Sequence, residues 1–307
     1  MNRICVLGSM NVDMTVTVER FHAPGESMIA EKFETFTGGK GGNQAVACAR
    51  LGADVMMIGC VGEDSNGQMY LDALKREGVD TAGVVRTPDA PTGVALIEVD
   101  KNGENRILVA PGANFALTCD MVSAKADALK RDVCLFQMEN PMPAITHGMA
   151  LAKQSGALVV LDPAPVPAAP VSDAVFALCD YVTPNETELH LLTGMPVDTV
   201  EQAVEAATQL IRKGAKAVIN KRGGQGALLV TEAGYQLFPG FKVSVVDTTA
   251  AGDSFNAGLS VGLAKGYAIS DAVVLANAVG ALSTTAQGAQ PAMPSFEQAA
   301  TLIAGTD

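Results

Sequence analysis

The sequence predicts an α/β fold: a doubly wound, mostly parallel sheet covered by helices on both faces, with a small β-sheet lid beside it. Apolar runs of strand length alternate with amphipathic stretches of helix length, which is typical of a parallel sheet. Asn102 and Gly103 lie between two apolar runs, residues 94–99 and 106–109, and this pattern predicts a separate antiparallel hairpin. The 307 residues, 48% of them hydrophobic, are enough for one large domain of this kind.

The N-terminal part of the chain predicts the first strand of the large sheet and most of the lid. Residues 4–7 are a continuous apolar run, and residues 13–19 alternate between apolar and polar side chains. The alternation predicts a half-exposed antiparallel strand whose polar face carries Asp13 and could line a cleft. Residues 29–36 are a further candidate strand. The whole chain, residues 1–307, is then one domain, and its lid comprises about residues 12–38 and 92–110.

Four of the five residues 38–42 are glycines, and Asn43 follows them. Such a backbone lets a ligand approach closely, and the helix predicted over residues 44–51 would present free N–H groups to it. Lys40 and Asn43 add donors for hydroxyl groups. The spacing fits neither the Walker phosphate loop nor the dinucleotide fingerprint, so a ligand-binding loop and a plain tight turn both stay open.

The central part of the chain predicts most of the parallel sheet. Five apolar runs are expected as short buried strands: residues 55–61, 133–137, 158–162, 181–183 and 217–220. A helix is expected over residues 200–211, where apolar side chains recur every three or four residues and Gly214 ends the pattern. Ligands of such sheets bind beyond the carboxyl ends of the strands, so Glu139, just after one predicted strand, is a candidate cleft residue.

Two further segments allow both a structural and a functional interpretation. Asn185 and Glu188 are three residues apart after a predicted strand, a spacing that favours a helix capping box. The functional alternative is an oxygen-rich site for hydrated magnesium. The glycine-rich turn that begins at Lys221 and includes Gly223 and Gly226 would either contact nucleotide phosphates or form a plain hairpin.

The segment DTTAAGDSFNAG carries the strongest chemical signal. The alternating apolar run at residues 241–246 predicts a strand before it, and its small residues predict a helix. The N–H groups of Ala250, Ala251 and Gly252 would lie at the helix N-terminus, where unpaired donors and the helix dipole favour a phosphate. Asp253 beside them would be a base that takes a proton from an attacking hydroxyl, as in phosphoryl transfer to an alcohol. The alternative is an ordinary strand–helix junction with Asp253 as an N-terminal helix charge.

Composition and charge exclude several classes of function. The formal net charge of −12 argues against general nucleic-acid binding, and the absence of Trp argues against stacking on single strands. The six cysteines form no C-x-x-C pair and the three histidines lie near no cysteine cluster, so we expect buried, reduced thiols and no zinc site. No apolar run is long enough for a signal sequence or a membrane span, so a cytoplasmic protein without a membrane partner is expected.

The order of three motifs resembles the ribokinase-like family of sugar and nucleoside kinases. GGKGGN, PNETE and DTTAAGD occur in that family's order, and the likeness covers essentially the whole chain. The resemblance implies a doubly wound sheet with a β lid that also forms a homodimer contact. It implies ATP-dependent phosphorylation of a primary hydroxyl of a pentose, above all O5 of D-ribose to give ribose 5-phosphate. ATP and Mg²⁺ are the implied cofactors, with K⁺ as a further ion, and the sugar is the small-molecule partner.

The resemblance also implies roles for individual residues. Asp253 would be the base, and Ala250, Ala251 and Gly252 would hold the transferring phosphoryl group. The implied sugar-binding residues are Asn11, Asp13, Gly39, Lys40, Asn43, Glu139 and Asp253. The implied nucleotide-binding residues are Asn185, Lys221, Gly223, Gly226, Gly252 and Asn277. The implied magnesium residues, acting largely through water, are Asn185 and Glu188, and the implied potassium residues are Asp247, Thr249, Ser283, Ala286, Gly288 and Ala292.

The chain departs from the family pattern at three positions. Lys221 stands where threonine is common, Asn277 where histidine is common and Ala286 where a basic residue is common. Alternative substrates within the fold are deoxyribose, a nucleoside such as adenosine or pseudouridine, and a hexose derivative. The lid segments contain few aromatic residues apart from Phe33 and Phe36, which favours a free sugar over a nucleoside. A non-catalytic sugar- or nucleotide-binding regulator is the alternative from another class, and a purely structural protein is a third.

Overall fold

A computed structural model describes residues 2–305, which fold into two β-sheets and ten α-helices. The strands are β1 (Arg3–Leu7), β2 (Asn11–Thr17), β3 (Lys32–Gly38), β4 (Asp54–Gly62), β5 (Asp80–Thr87), β6 (Gly93–Val99), β7 (Asn105–Ala110), β8 (Val133–Phe136), β9 (Leu158–Leu161), β10 (Tyr181–Val182), β11 (Ala217–Lys221), β12 (Ala227–Thr231) and β13 (Gly234–Phe238). The helices are α1 (Lys40–Arg50), α2 (Ser65–Arg76), α3 (Cys119–Ser123), α4 (Met142–Gln154), α5 (Asp173–Phe176), α6 (Glu186–Thr193), α7 (Val200–Arg212), α8 (Ala251–Ala264), α9 (Ile269–Ser283) and α10 (Phe296–Ala304). Within the described residues, no helix has both the length and the apolar character needed to cross a membrane.

The large sheet contains nine strands of the described chain, in the order β13-β12-β11-β10-β9-β8-β1-β4-β5. The strands from β11 to β5 are parallel, whereas β12 and β13 run antiparallel at one edge. Along β1, Ile4 and Val6 pack into one apolar core, while Cys5 and Leu7 pack into another. Cores on both faces confirm the predicted doubly wound sheet, and the predicted central strands are present with ends shifted by one residue at most.

The small sheet contains four strands in the order β3-β2-β6-β7. The predicted hairpin is present: β6 and β7 pair antiparallel, and the Asp100 carboxylate accepts hydrogen bonds from the N–H groups of Asn102 and Glu104 in the turn. Strand β2 pairs antiparallel with β3 but parallel with β6, so the expectation of an antiparallel strand is correct for one edge only. Leu96 and Leu108 are more than half exposed on this sheet.

Helix α1 begins at Lys40, inside the glycine-rich segment rather than after it. Two glycines of its first turn pack too closely for any side chain. A Cβ on Gly41 would lie 2.5 Å from the carbonyl carbon of Gly8, and one on Gly42 would lie 1.8 Å from the Tyr70 hydroxyl. The glycines therefore allow α1 to pack against the end of β1, which brings the helix N-terminus to the carboxyl edge of the sheet.

The strand expected at residues 241–246 is absent, and this segment of the described chain is irregular. Val245 and Val246 are 62% and 64% exposed. The N–H groups of Val246 and Asp247 both donate to the carbonyl of Thr284, just after α9. The segment is thus held by the end of a helix instead of by β13, so its alternating side chains have no sheet to face. The sequence pattern also missed β5 and the β12–β13 hairpin.

Candidate active site

Asp253 lies in the first turn of α8 and is 5% exposed. Its two carboxylate oxygens accept hydrogen bonds from the side-chain amides of Asn43 and Gln44 on α1, each at 3.0 Å. Burial raises the pKa of Asp253 to about 6, although the nearby Lys40 charge opposes this rise. The carboxylate is therefore fixed in orientation, mostly ionised at neutral pH and more basic than an ordinary Asp, which suits a general base.

The N-terminus of α8 presents unpaired N–H groups next to Asp253. Ala250 caps the helix in the left-handed conformation, with φ 58° and ψ 18°, and is the one non-glycine residue of the described chain with positive φ. Within residues 2–305 the N–H groups of Ala250 and Gly252 donate to no carbonyl, whereas the N–H of Ala251 donates to the Thr248 carbonyl at 3.2 Å. Two of the three expected anion donors are therefore free, and the third is used by the turn. Strain at such a position is typical of a functional turn.

Several of the expected sugar-binding residues are held in place by hydrogen bonds at the carboxyl edge of the sheet. Asn11 accepts a hydrogen bond on Oδ1 from Asn114 Nδ2 at 2.8 Å. Glu139 Oε2 accepts from the backbone N–H of Lys40 at 3.1 Å and from the Ser9 hydroxyl. These contacts join the start of β2 to the segment after β7, and the loop before β2 to the N-terminus of α1 and the loop after β8. We call the polar groups gathered here the polar cleft.

Asp13 faces the same cleft from β2. Its carboxylate lies over Gly38, where a Cβ would come within 2.1 Å of Oδ2. Burial and the nearby Glu139 charge raise the pKa of Asp13 to about 7. Burial alone would lower the pKa of Lys40, but the surrounding carboxylates, above all Asp253, raise it. The cleft therefore contains carboxylates that could accept hydrogen bonds from hydroxyl groups and an ammonium group that stays charged.

A cavity of about 440 Å³ opens beside the N-terminus of α8. Five of the residues expected to contact a nucleotide line it: Lys221, Gly223, Gly226, Gly252 and Asn277. The irregular segment that replaces the expected strand contributes an apolar wall through Phe241, Val243 and Val245. Asn185 lies outside this lining and is bridged to Lys221 through the backbone. The cavity thus has an apolar part suited to a nucleotide base and a polar end at α8.

Asn185 and Glu188 form a capping box at the start of α6, the structure that their spacing favours. Asn185 Oδ1 accepts from the Glu188 N–H at 2.7 Å, and Glu188 Oε2 accepts from the Asn185 N–H at 2.8 Å. Burial raises the pKa of Glu188. No group of three or more His, Cys, Asp and Glu residues in the described chain could hold a metal ion. The two side chains therefore fit magnesium only through bound water, which Mg²⁺ retains readily.

The expected potassium residues lie in the loop before α8, at the last residue of α9 and in the segment after α9. Asp247 Oδ1 accepts from the Thr249 N–H at 2.9 Å and from its hydroxyl at 2.7 Å, and Oδ2 accepts from the Gly288 N–H at 2.9 Å. Burial would raise the pKa of Asp247, but these hydrogen bonds lower it, so the carboxylate stays ionised. Ala286 and Ala292 have only backbone carbonyls to offer a cation, and Ser283 has a carbonyl and a hydroxyl. Backbone carbonyl oxygens are known ligands of K⁺, so a carboxylate with carbonyl oxygens is a donor set that fits a potassium ion.

Three side chains that the sequence pattern did not indicate complete the network around the base. Gln44 donates from Nε2 to Asp162 and to Asp253, both at 3.0 Å, and Gln290 donates to Asn43 Oδ1 at 3.2 Å. Asp162 directly follows β9, so the rule that ligands bind beyond the carboxyl ends of strands could have identified it. Gln290 begins a one-turn 3-10 helix, Gln290–Ala292, far along the chain, and no local signal marks it.

Known proteins are similar to this chain in sequence and in fold. The pfkB family carbohydrate kinase model matches residues 1–295. The ribokinase of Haemophilus influenzae is 39% identical over 297 residues, with 96% of each chain covered, and the deoxyribokinase of Salmonella typhi is 36% identical with the same coverage. The structure of Arabidopsis thaliana ribokinase complexed with ribose and ATP matches with a TM-score of 0.93 at 31% identity and covers 98% of both chains. The chain therefore belongs to the PfkB family of carbohydrate kinases.

Proposed function

We propose that this carbohydrate kinase transfers the terminal phosphoryl group of ATP to O5 of D-ribose, giving ADP and ribose 5-phosphate. The observation that carries the proposal is the position of Asp253, an oriented carboxylate in the first turn of α8 beside the free N–H groups of Ala250 and Gly252. It is linked by hydrogen bonds to the polar cleft on one side and adjoins the nucleotide cavity on the other. The ribokinases among its relatives support ribose as the acceptor.

Asp253 acts as the general base in this mechanism. Asn43 and Gln44 hold its carboxylate so that it accepts the O5 proton while O5 attacks the γ-phosphorus. The bond between O5 and phosphorus forms, the bond between phosphorus and the bridging oxygen of ADP breaks, and the proton stays on Asp253. General-base catalysis contributes about 10²–10⁴-fold to such a rate. The free N–H groups and the dipole of α8 stabilise the charge on the transferring group.

Two ions complete the proposed site. Magnesium, when bound, neutralises charge on the polyphosphate, and Asn185 and Glu188 would hold its water molecules. Potassium, when bound, adds positive charge near the anion-binding turn, and Asp247 and Thr249 with neighbouring carbonyls would hold it. The protein's own part is to keep the Asp247 carboxylate ionised and to tie the turn before α8 to Gly288.

The polar cleft binds the sugar in this proposal. Asn11, Asp13 and Glu139 accept hydrogen bonds from the sugar hydroxyls, while Lys40 and Asn43 donate to them. Because Asp13 belongs to β2, the small sheet carries part of the sugar site, and we propose that it closes over the sugar as a lid that excludes water. We also propose that the exposed apolar residues of this sheet pair two copies of the chain.

A coupled ADP-release assay with ATP, Mg²⁺ and K⁺ tests the proposed reaction on ribose, 2-deoxyribose, fructose, adenosine and pseudouridine. We expect the highest kcat/KM with ribose. A higher kcat/KM with another acceptor would contradict ribose as the substrate, while Asp253 would remain the expected base. Ribose binding without turnover under any nucleotide or cation would instead indicate a non-catalytic binding protein.

A further inference from the structure

A buried ion pair joins the nucleotide cavity to the catalytic base. Lys221 Nζ lies 2.8 Å from Asp162 Oδ1, and the two side chains are 12% and 2% exposed. The other oxygen of Asp162 accepts a hydrogen bond from Gln44 Nε2 at 3.0 Å, and the same amide group donates to Asp253. Asp162 therefore uses one oxygen toward Lys221 and the other toward the side chain that orients the base.

The Lys221 ammonium also lies at the N-terminus of α8. A Cβ on Gly252 would come 3.4 Å from Lys221 Nζ, and both residues line the nucleotide cavity. The free N–H of Gly252 and the positive end of the helix dipole therefore lie beside a second positive group. Two positive groups that face one cavity favour an anion between them, and in a kinase that anion is a phosphate of the nucleotide.

Stability does not account for the Lys221–Asp162 pair, because replacing a buried ion pair by apolar residues is often neutral or stabilising. A second pair in the same sheet provides a contrast. Lys153 Nζ lies 2.7 Å from Asp180, whose side chain is 3% exposed and also pairs with Lys216 at 2.7 Å. Asp180 precedes β10, whereas Asp162 follows the neighbouring parallel strand β9, so the two pairs lie at opposite ends of the sheet. The Lys221–Asp162 pair is the one at the ligand-binding edge.

We propose that the Lys221 ammonium leaves the Asp162 carboxylate and binds the terminal phosphate when the nucleotide is bound, while Asp162 keeps Gln44 directed at Asp253. Lys221 is then a residue that contacts the substrate, and Asp162 is a positioning residue that acts through Gln44. The identity of the nucleotide rests on the proposed function. The exchange lets a flexible lysine follow the phosphate, and the base stays oriented throughout because its own hydrogen bonds do not change.

Nucleotide binding measured by isothermal titration calorimetry tests this proposal without any sugar. For K221M we expect the affinity for AMP-PNP with Mg²⁺ to fall by about 10- to 100-fold, the loss expected for one charge-assisted hydrogen bond. The affinity for adenosine, which has no phosphate, should stay within about twofold. K221R keeps the charge and should recover part of the affinity. Equal AMP-PNP affinity of K221M and the wild type, or equal losses for AMP-PNP and adenosine, would overturn the proposal.

The control is K153M, because it also removes a lysine that pairs with a buried carboxylate, although Asp180 keeps Lys216 as a second partner. We expect it to lower the melting temperature without changing the ratio of AMP-PNP to adenosine affinity. K221M leaves Asp162 buried without its cation, so the double variant K221M/D162N, which removes both charges, replaces it if K221M does not fold. If the wild type does not bind AMP-PNP, the proposed kinase function is wrong. If the wild type and K221M bind AMP-PNP with equal affinity, only the proposed role of Lys221 is wrong.

The positioning role of Asp162 is tested by steady-state kinetics. Asn at this position has one acceptor oxygen, so either Lys221 or Gln44 loses its partner in D162N. We expect kcat per folded molecule to fall by about tenfold while KM for the sugar stays within about twofold, because the orientation of the base changes and the sugar contacts do not. An unchanged kcat with a lower yield of folded protein would show that Asp162 is merely structural.

Discussion

At the scale of the single residue, the surroundings of Asp253 decide what its carboxylate can do. Burial raises its pKa from an ordinary value of 3.8 to about 6, and the Lys40 charge and the amide donors of Asn43 and Gln44 limit that rise. A carboxylate in water would be ionised but a weak base, whereas one buried without partners would hold its proton at neutral pH. The observed combination keeps Asp253 ionised and still able to accept a proton at pH 7.

Replacing Asp253 with Asn should remove the base and keep the shape of the side chain. We expect kcat to fall by about 10²–10⁴-fold, because a general base contributes that much. Asn43 and Gln44 both donate to this position. In D253N the new amide nitrogen will therefore face one of these two donors, and that donor will have no acceptor. Steady-state kinetics measures the loss of the base, and calorimetry of ribose binding measures whether the sugar site is disturbed. D271N is the control, since Asp271 is an acidic residue in the first turn of the neighbouring helix; kcat of D253N close to that of D271N would contradict the mechanism.

The raised pKa values predict how activity and stability depend on pH. Because Asp253 must be ionised to act as a base, kcat/KM should decrease as the pH falls through about 6. The pKa values of Asp13 and Asp253 in the folded state, about 7 and about 6, lie above the ordinary value of 3.8. Between pH 3.8 and about 6 to 7, the folded state therefore binds more protons than the unfolded state. The free energy of unfolding consequently decreases as the pH rises through this range.

Urea unfolding of the wild type and of D253N at several pH values measures this linkage. Asn does not titrate, so the variant should gain stability relative to the wild type as the pH rises from about 4 to about 6, and the difference should then level off. A difference that is constant over this range, or one that changes in the opposite direction, would contradict the raised pKa of Asp253.

The candidate site residues that the sequence indicates are those whose neighbours in the chain suggest a role. Asp253 follows the anion-binding turn directly, and Asp13 lies on the polar face of an alternating strand. Gln44 and Asp162 meet only in the folded chain, at 3.0 Å, although they are 118 positions apart. The sequence did not predict that the Ala251 N–H donates to the Thr248 carbonyl, because that hydrogen bond depends on the conformation of the turn before it, where Ala250 is left-handed.

At the scale of the element, a chain of hydrogen bonds connects the small sheet to Asp253, the proposed base. Thr37, on β3, donates to Gln290 Oε1 at 2.6 Å, Gln290 donates to Asn43 at 3.2 Å, and Asn43 donates to Asp253 at 3.0 Å. The sheet also carries Asp13. Movement of the small sheet would therefore change both the proposed sugar contacts of Asp13 and the hydrogen bonds that support Asp253, as the proposed lid requires.

Closure of the small sheet predicts a local change in hydrogen exchange. Saturating ribose should slow exchange of the backbone amides in residues 13–19 and 94–109, because a closed sheet opens to solvent less often. Helix α7, which bears no predicted site residue, should exchange at the same rate with and without ribose. Exchange that is unchanged in both segments, at ribose concentrations where calorimetry shows saturation, would contradict lid closure.

Helices and buried strands could be predicted because the spacing of their apolar residues indicates which side chains are buried. The segment at residues 241–246 shows where that argument fails: alternation predicts a strand only if a neighbouring strand accepts its hydrogen bonds. Here the backbone donates to Thr284 instead, and the apolar side chains line the nucleotide cavity. Whether a segment lies next to another strand depends on the whole fold, so the local alternation of side chains could not predict it.

At the scale of the whole molecule, the alternation of strands and helices predicts the layers but not the order of the strands. Strand β1 lies between β8 and β4, and this order depends on contacts between segments more than a hundred residues apart. The ligand-binding edge could still be inferred, because the carboxyl ends of parallel strands share one edge in any order. Asp162, Glu139 and Lys221 all lie at or just beyond such strand ends.

The small sheet also leaves an apolar surface exposed on the molecule. Phe33, Leu96 and Leu108 are 62%, 51% and 72% exposed. Leu96 and Leu108 are direct neighbours across β6 and β7, and β7 is an edge strand. Contiguous apolar surface of this kind marks a protein contact. Because most homo-oligomers are symmetric dimers, we expect a second copy of the chain to cover it through the same surface.

Replacing Leu108 with Asp should dissociate this dimer. A twofold contact would lose the leucine twice, at about 1.5–3 kcal/mol for each fully buried side chain, and would also bury two carboxylates. We therefore expect the dimer Kd to rise by at least about 100-fold, a change that light scattering coupled to size exclusion measures as a shift from dimer to monomer mass. L191D is the matched control, because Leu191 is a 60% exposed leucine on α6, outside the small sheet. A monomeric wild type would contradict the dimer, and a dimeric L108D would show that two copies pair through another surface.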